Sequence, residues 1–490
     1  MQYVSTRGGE PVSAAQAIVR GICPSGGLYV PAEFPQISVD ALLPYANDYH
    51  SAAQKIMQLY LDIPEEKLHE YIHSAYGAQF DVPEIAPVVP LSAKESVLEL
   101  WHGPTLAFKD MALQMLPYLM RDSLSATGED KQIYILVATS GDTGKAALAG
   151  FKDVPGTAVQ VFYPHGGVSR AQWLQMVTQE GSNVHVCGVK GNFDDAQTAV
   201  KRIFGNASLR GQAEAKGYKF SSANSINFGR LLPQIAYYFT AYLHLCESGA
   251  ITCGDKINFC VPTGNFGDIL AGYYAMRMGL PVRKLICASN RNNVLTDFFH
   301  KGEYDSRRPF YKSMSCSIDI LVSSNLERLL FEAAGRDPQL VIEWMHSLSS
   351  EGRYAVGREV AAQLGELFYA DWCDEEATLS TIRACFDKKG YLMDPHSGVG
   401  QTIYDRYVKQ TGDETHTVLL STAHPFKFAS DVLQAFGPRA EDDDFENAQR
   451  LSARTCKPVP TAISGLASKP ILHTAVCEIA DMPKRTLEVL

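Results

Sequence analysis

Short, continuously apolar runs recur through the middle of the chain, and they indicate the fold class. Residues 133–138, 159–163, 184–189, 257–261, 284–288 and 417–420 are β-rich and lack the alternation of a half-exposed strand. Between most of them lie helical patterns, such as 194–203 and 226–245. Strands alternating with helices predict βαβ units and a largely parallel sheet. Parallel sheets are covered on both faces, which accounts for runs without polar alternation. Before about residue 95 the texture differs. Helical stretches at 14–21, 47–61 and 65–75 alternate with proline-containing loops that end at Pro83, Pro87 and Pro90. The expected organisation is an α/β protein with an N-terminal auxiliary domain (1–95), a core of larger and smaller subdomains (96–430) and a peripheral C-terminal segment (431–490).

Composition narrows the function classes. A chain of 490 residues suits about three domains or one elaborated large one. Lys and Arg number 44 against 54 Asp and Glu, a balance of −10, so the basic footprint of a nucleic-acid binder is missing. No apolar run approaches the ~18 residues of a spanning helix; the greasiest stretch, 231–245, contains Pro233 and Gln234. The first residues lack a basic segment followed by an apolar one, so no secretory signal is expected. Eleven cysteines run from Cys23 to Cys477 without a C-x-x-C pair. That usage fits reduced, mostly buried thiols in a cytoplasmic protein.

One lysine has an unusual setting. In Trp101-His-Gly-Pro-Thr-Leu-Ala-Phe-Lys-Asp110, a helix starting near Phe108 places Lys109 on one face with Ala112, Leu113, Leu116 and Met120. A cation in the first turn faces the positive helix end, and burial also disfavours the ammonium. Both effects favour the neutral, nucleophilic amine of Schiff-base chemistry. The alternative is a lysine that snorkels to solvent.

Two glycine-rich loops follow strand runs. Thr139-Ser140-Gly141-Asp142-Thr143-Gly144-Lys145 departs from the Walker pattern at Thr139 and Ala146. It offers backbone amides and hydroxyls at a helix start, suited to a carboxylate or phosphate. Pro262-Thr-Gly264-Asn265-Phe266-Gly267-Asp268 lacks the dinucleotide fingerprint and suits one phosphate on a small cofactor. A lysine for an aldehyde, a glycine loop for its phosphate and a second anion loop together suggest pyridoxal phosphate.

At this point the chain resembles threonine synthase, a pyridoxal-phosphate enzyme of the tryptophan-synthase-β-like fold (fold type II). The resemblance rests on residues 102–110, 138–144, 223–227 with Arg230, 261–270 and 421–425. Further echoes lie at 5–8, 26–30, 320–325 and 392–396. It implies Lys109 as the Schiff-base lysine and proton carrier, and Gly264, Asn265, Phe266 and Gly267 around the cofactor phosphate with Asp268 next to them. Thr422 would face the pyridine nitrogen. Thr139, Ser140, Gly141, Asp142 and Thr143 would hold the substrate carboxylate, and Asn224, Ser225, Asn227 and Arg230 its phosphate. Asn224 and Ser225 have a plainer reading as caps of the helix expected from Ile226. The implied reaction converts O-phospho-L-homoserine and water to L-threonine and phosphate, the last step of threonine biosynthesis. Closure of one subdomain over the substrate is expected, and the oligomeric state is left open between monomer and homodimer. Lys145 and Phe426 stand where smaller residues are more usual.

Two competing readings remain. His69-Glu70-Tyr-Ile-His73 is a formal H-E-x-x-H zinc motif, but Tyr76 and Gln79 replace the extended pattern, and no metal is expected. A paralogue of the same fold, such as a phospho-lyase or a threonine dehydratase, would keep the lysine and change the ligand. No G-x-S-x-G elbow is present.

Overall fold

Strand pairing in the computed structural model, which describes residues 1–139, 141–438 and 443–490, divides the chain around two parallel-rich sheets. Strands β1 (Gln2–Ser5), β2 (Val12–Ser13) and β3 (Tyr29–Pro31) form a small antiparallel sheet near the N-terminus. A hairpin of β4 (Val88–Ser92) and β5 (Glu95–Glu99) then enters the six-stranded sheet. The chain crosses to a five-stranded sheet with β6 (Gln132–Ala138), β7 (Thr157–Pro164), β8 (Val184–Lys190) and β9 (Tyr218–Ser221). It returns with β10 (Ile257–Pro262) and β11 (Val282–Ser289), adds the ribbon of β12 (Glu303–Asp305) and β13 (Arg353–Ala355), and continues to β14 (Phe368–Trp372) and β15 (Thr417–Ser421). The six-stranded order is β14-β11-β10-β15-β5-β4, parallel except for β4.

The five-stranded order is β16-β8-β7-β6-β9, where β16 (Ala475–Glu478) comes from the C-terminal segment and pairs parallel with β8. That segment was expected to be peripheral; it supplies an edge strand. The unit boundary expected at residue 95 falls inside the β4–β5 hairpin, because β4 is hydrogen-bonded into the larger sheet.

The apolar runs became strands because both faces are covered. Every residue of β7 and β10 is buried. The helix Phe228–Glu247 is buried along most of its length and continues through Pro233. Among the described residues, no helix is long and apolar enough to cross a membrane.

The helix expected from Phe108 to Met120 is broken into Lys109–Leu113 and Leu116–Ala126. Pro117 has no amide hydrogen to return to the Leu113 carbonyl, and it falls in the first turn of the second helix, where that donor is not needed, unlike Pro233 inside the helix Phe228–Glu247. The eleven cysteines are free, and most are buried.

Candidate active site

Every expected site segment lies just past the carboxyl end of a parallel strand. Lys109 follows β5, the 139–144 loop follows β6, residues 222–227 follow β9, the 263–267 loop follows β10, and Thr422 follows β15. Ligands of parallel sheets bind at these ends, where the loops turn into helices. A backbone bridge between Ala107 and Ala423 then pins the lysine loop to the residues after β15. Phe108 N donates to Thr422 O (2.8 Å), and His424 N donates to Leu106 O (3.0 Å).

Lys109 opens the helix Lys109–Leu113, and its side chain is 15% exposed. Burial lowers its pKa and outweighs the opposing pull of Asp142. The burial expected of Lys109 from its apolar helix face is present, and it disfavours the ammonium. The turn before it is built on Asp110, whose carboxylate accepts from Thr105 N and Thr105 Oγ1 at 2.8 Å each. Burial pushes the Asp110 carboxyl up to about 6 despite those bonds.

The loop after β10 is a cradle in which added bulk has no room. A Cβ on Gly264 would meet Ser317 O at 2.8 Å and Ile318 Cα at 3.0 Å. Phe266 takes a left-handed φ of 63° as it caps the helix Gly267–Arg277, whose first amides have no side-chain cap and are open to an anion. Asp268 behaves differently from its neighbours. Its Oδ1 accepts from Tyr237 OH at 2.5 Å and Tyr238 OH at 3.1 Å, and burial pushes the carboxyl up to about 6. Its Oδ1 is committed to the tyrosines, whereas its Oδ2 is buried without a partner.

The second loop is similarly half-committed. Thr139 Oγ1 accepts from Gly141 N and Gly144 N, both at 3.0 Å, so this hydroxyl holds the loop closed on itself. Ser140 lies outside the described residues. Asp142 points into the site, where its carboxylate forms ion pairs with Lys427 (3.1 Å) and Lys109 (3.9 Å). Burial alone would raise its pKa, but the Lys427 and Lys109 charges outweigh it and hold the carboxyl well below the usual range. Thr143 lies in the first turn of the helix Asp142–Phe151. Lys145, further along this helix, is buried against Gln179, and burial pushes its pKa down to about 7.

Of the four residues expected at a substrate phosphate, Asn227 is spent. Its Oδ1 caps the helix Phe228–Glu247 by accepting from Gly229 N (2.9 Å), and its Nδ2 donates to Ile18 O (2.9 Å). Asn224 and Ser225 do not cap that helix; Asn224 Oδ1 accepts from Ile226 N (3.2 Å) and Ser225 Oγ (3.3 Å), shaping the turn. Arg230 is 4% exposed. Its Nη1 donates to Ala223 O (2.7 Å), Nε has no partner, and no carboxylate among the described residues pairs with it. Burial pushes its pKa down to about 10. A desolvated cation with an orphaned donor is a ready anion site.

Sequence reasoning missed the residues that knit these loops together. Asn325 Nδ2 donates to Asn265 O (3.0 Å) and Ser225 Oγ (3.3 Å), so one amide touches both loops. The fully buried Arg328 bonds Asn325 Oδ1, Ile226 O and Tyr29 O. Ser317 Oγ lies between Lys109 Nζ (3.5 Å) and Asp142 Oδ2 (3.1 Å). Asn325 lay in the 320–325 echo, whereas Ser317 and Lys427 carried no signal of their own.

The residues fit pyridoxal phosphate: a buried amine, a glycine cradle that a Cβ would fill, and a helix N-terminus facing it. The chain matches the family descriptions "Threonine synthase N terminus" over residues 2–76, "Pyridoxal-phosphate dependent enzyme" over 97–367 and "Threonine synthase, C-terminal" over 397–485. The chain belongs to the threonine synthase family. Its cofactor is pyridoxal phosphate, and its fold is that of fold-type-II enzymes. Human threonine synthase-like 1 is 42% identical over 433 residues, covering 86% of this chain but 58% of that protein. The chain thus spans under two thirds of that relative's length. Threonine synthase from Pseudomonas aeruginosa is 38% identical and covers 89% of this chain and 90% of its own. The PLP-bound threonine synthase from Brucella melitensis superposes with a TM-score of 0.89 at 35% identity, covering 100% of this chain and 99% of that one. The family match continues to residue 485, past the point where sequence motifs ceased to be diagnostic.

The helix carrying the H-E-x-x-H forms as expected (Glu65–Ala75). Its histidines pack ring against ring: His69 and His73 lie tilted at 45° with centroids 4.2 Å apart, and His73 stacks on His50 of the preceding helix at 4.3 Å. Among the described residues, no group of three His, Cys, Asp or Glu side chains could hold a metal ion.

Proposed function

We propose that the protein converts O-phospho-L-homoserine and water to L-threonine and phosphate. The observation that carries this reading is the buried, uncompensated guanidinium of Arg230, held on the Ala223 carbonyl, in a site whose cofactor phosphate already has its own glycine cradle. A second anion site of this kind suits a substrate that brings a phosphate of its own. Similarity to threonine synthases of bacteria and yeasts supports it.

Bound pyridoxal phosphate supplies an electron sink at the substrate's α-carbon. Lys109 takes the α-proton; a β-proton is then lost as phosphate leaves Cγ, and Lys109, on its flexible stem, returns a proton at Cγ. Arg230 offsets the charge of the departing phosphate. Water adds at Cβ, so the site must exclude water early and admit it late. Gly264, Asn265, Phe266 and Gly267 hold the cofactor, and the backbone around Gly141 and Thr143 orients the substrate carboxylate.

The resemblance to threonine synthase-like proteins supports a second reading, a phospho-lyase that releases phosphate without hydrating Cβ. One assay separates the two: the loaded protein is mixed with O-phospho-L-homoserine, and phosphate and threonine are both measured. Equal yields support the synthase. Phosphate without threonine supports the phospho-lyase, and release of neither product sinks both. Lys109→Ala should lack the visible cofactor band and all turnover.

A further inference from the structure

We propose that Lys427 is a positioning residue which, through the Asp142 carboxylate and the Ser317 hydroxyl, fixes the aim and charge of the Lys109 amine that joins the cofactor. This goes beyond the proposed reaction and requires the cofactor, not the identity of the substrate.

Lys427 sits on the short turn Pro425–Phe428 after β15, and its side chain is 2% exposed. Its ammonium donates to Thr105 O (2.6 Å), the same residue whose amide and hydroxyl anchor Asp110. It forms an ion pair with Asp142 Oδ1 at 3.1 Å. The other oxygen, Oδ2, accepts from Ser317 Oγ (3.1 Å) and lies 3.9 Å from Lys109 Nζ. Ser317 Oγ accepts from Lys109 Nζ at 3.5 Å. Ser317 is itself held from behind: its amide donates to His396 Nε2 (3.0 Å), and His396 Nδ1 faces Asp394 Oδ1 at 2.6 Å. A rigid path therefore runs from Lys427 to the reacting nitrogen, across segments far apart in sequence.

The chemistry explains why a second ammonium belongs here. The neutral amine adds its lone pair to the cofactor's aldehyde carbon, and the carbonyl oxygen leaves as water. An ammonium has no lone pair and cannot begin. Asp142 favours the ammonium form of Lys109. Lys427 shares that carboxylate and adds a like charge nearby, so it opposes protonation of Lys109. Burial is the largest influence on Lys109. The charged or titratable groups facing it are Asp142 from the helix Asp142–Phe151 and Cys316 from the turn Cys316–Ile318, which favour the ammonium. Lys427 and Arg230 oppose it.

The test removes the cofactor from the 490-residue chain, adds pyridoxal phosphate back, and follows growth of the visible band against pH. No substrate is involved. In Lys427→Met the midpoint of the rate–pH profile should move up, with about a tenfold slower rate near neutrality per pH unit of movement. In Asp142→Asn it should move down. Lys427→Arg should stay near the unmodified protein, and Ser317→Ala should lower the plateau rate without moving the midpoint. If Lys427→Met does not fold, Asp142→Asn and Lys427→Arg carry the same test. An unmoved midpoint in Asp142→Asn, or movement of Lys427→Met and Asp142→Asn in one direction, overturns the proposal. Failure of the substrate assay with opposite shifts intact would count against the reaction and leave this inference standing.

Discussion

Asn227 Nδ2 donates to the carbonyl of Ile18 across 2.9 Å, joining the N-terminal unit to the start of the longest buried helix. The same side chain caps that helix through Gly229 N. Asn227→Ala should therefore act on stability, costing about 1–2 kcal/mol through the lost cap and the unpaired Ile18 carbonyl. Urea denaturation would show a lower midpoint with KM for the phosphorylated substrate little changed. A large rise in KM at unchanged stability would restore Asn227 as a direct ligand.

Arg230 should behave in the opposite way. A buried guanidinium without a carboxylate partner weighs against folding until an anion arrives. Arg230→Leu should raise the Tm of the ligand-free protein and raise KM by roughly tenfold to a hundredfold, the worth of about 1.5–3 kcal/mol for bonds to a charged group. Thermal melts with and without added inorganic phosphate read both effects. A fall in Tm with KM unmoved would contradict the assignment.

Gly264→Ala should empty the site of cofactor. The added carbon would meet two backbone atoms of residues 317 and 318, neither able to retreat as a flexible side chain would. Overpacking of this kind costs about 1–3 kcal/mol. Absorbance titration with pyridoxal phosphate should show roughly tenfold or greater weakening. Undiminished affinity would mean that the cradle is looser than its backbone spacing implies.

Asp268 should make stability depend on pH in the acid range. Its pKa rises from 3.8 to about 6 because the folded protein buries it, so the folded state keeps the proton that the unfolded chain releases. The resulting stabilisation is fully present below 3.8 and is lost as pH climbs through 6, up to roughly 3 kcal/mol. Asp110 adds a slope of the same sign. Denaturation at pH 4 and pH 7 should therefore show a larger loss for the unmodified protein than for Asp268→Asn. Equal losses would refute it.

Much of the site was legible before any coordinates. The runs that became β6, β7, β8, β10, β11 and β15 are buried on both faces, which leaves a plain mark of unbroken apolar residues. Glycine at 264 and a lysine at a helix start are likewise local signatures. The helix across Pro117 was misread because apolar spacing ran through a proline that lies in the first turn of a new helix.

The resemblance of its motifs offered Arg230 as a candidate anion ligand; by itself, the sequence determined the fold class and marked Lys109 and two glycine-rich loops as candidates for the chemistry. These follow from periodicity, glycine placement and order along the chain, all short-range properties. Only the tertiary structure decided which polar side chains are already spent. Thr139 closes its own loop, Asn227 serves a cap and a distant carbonyl, and Asp268 turns to two tyrosines. It alone brought Lys427, Asp142 and Ser317 to the Lys109 amine. A side chain's hydrogen-bonding partner is set by what lies across a few ångströms of space, and residues separated by hundreds of positions leave no spacing in the chain from which that nearness can be read.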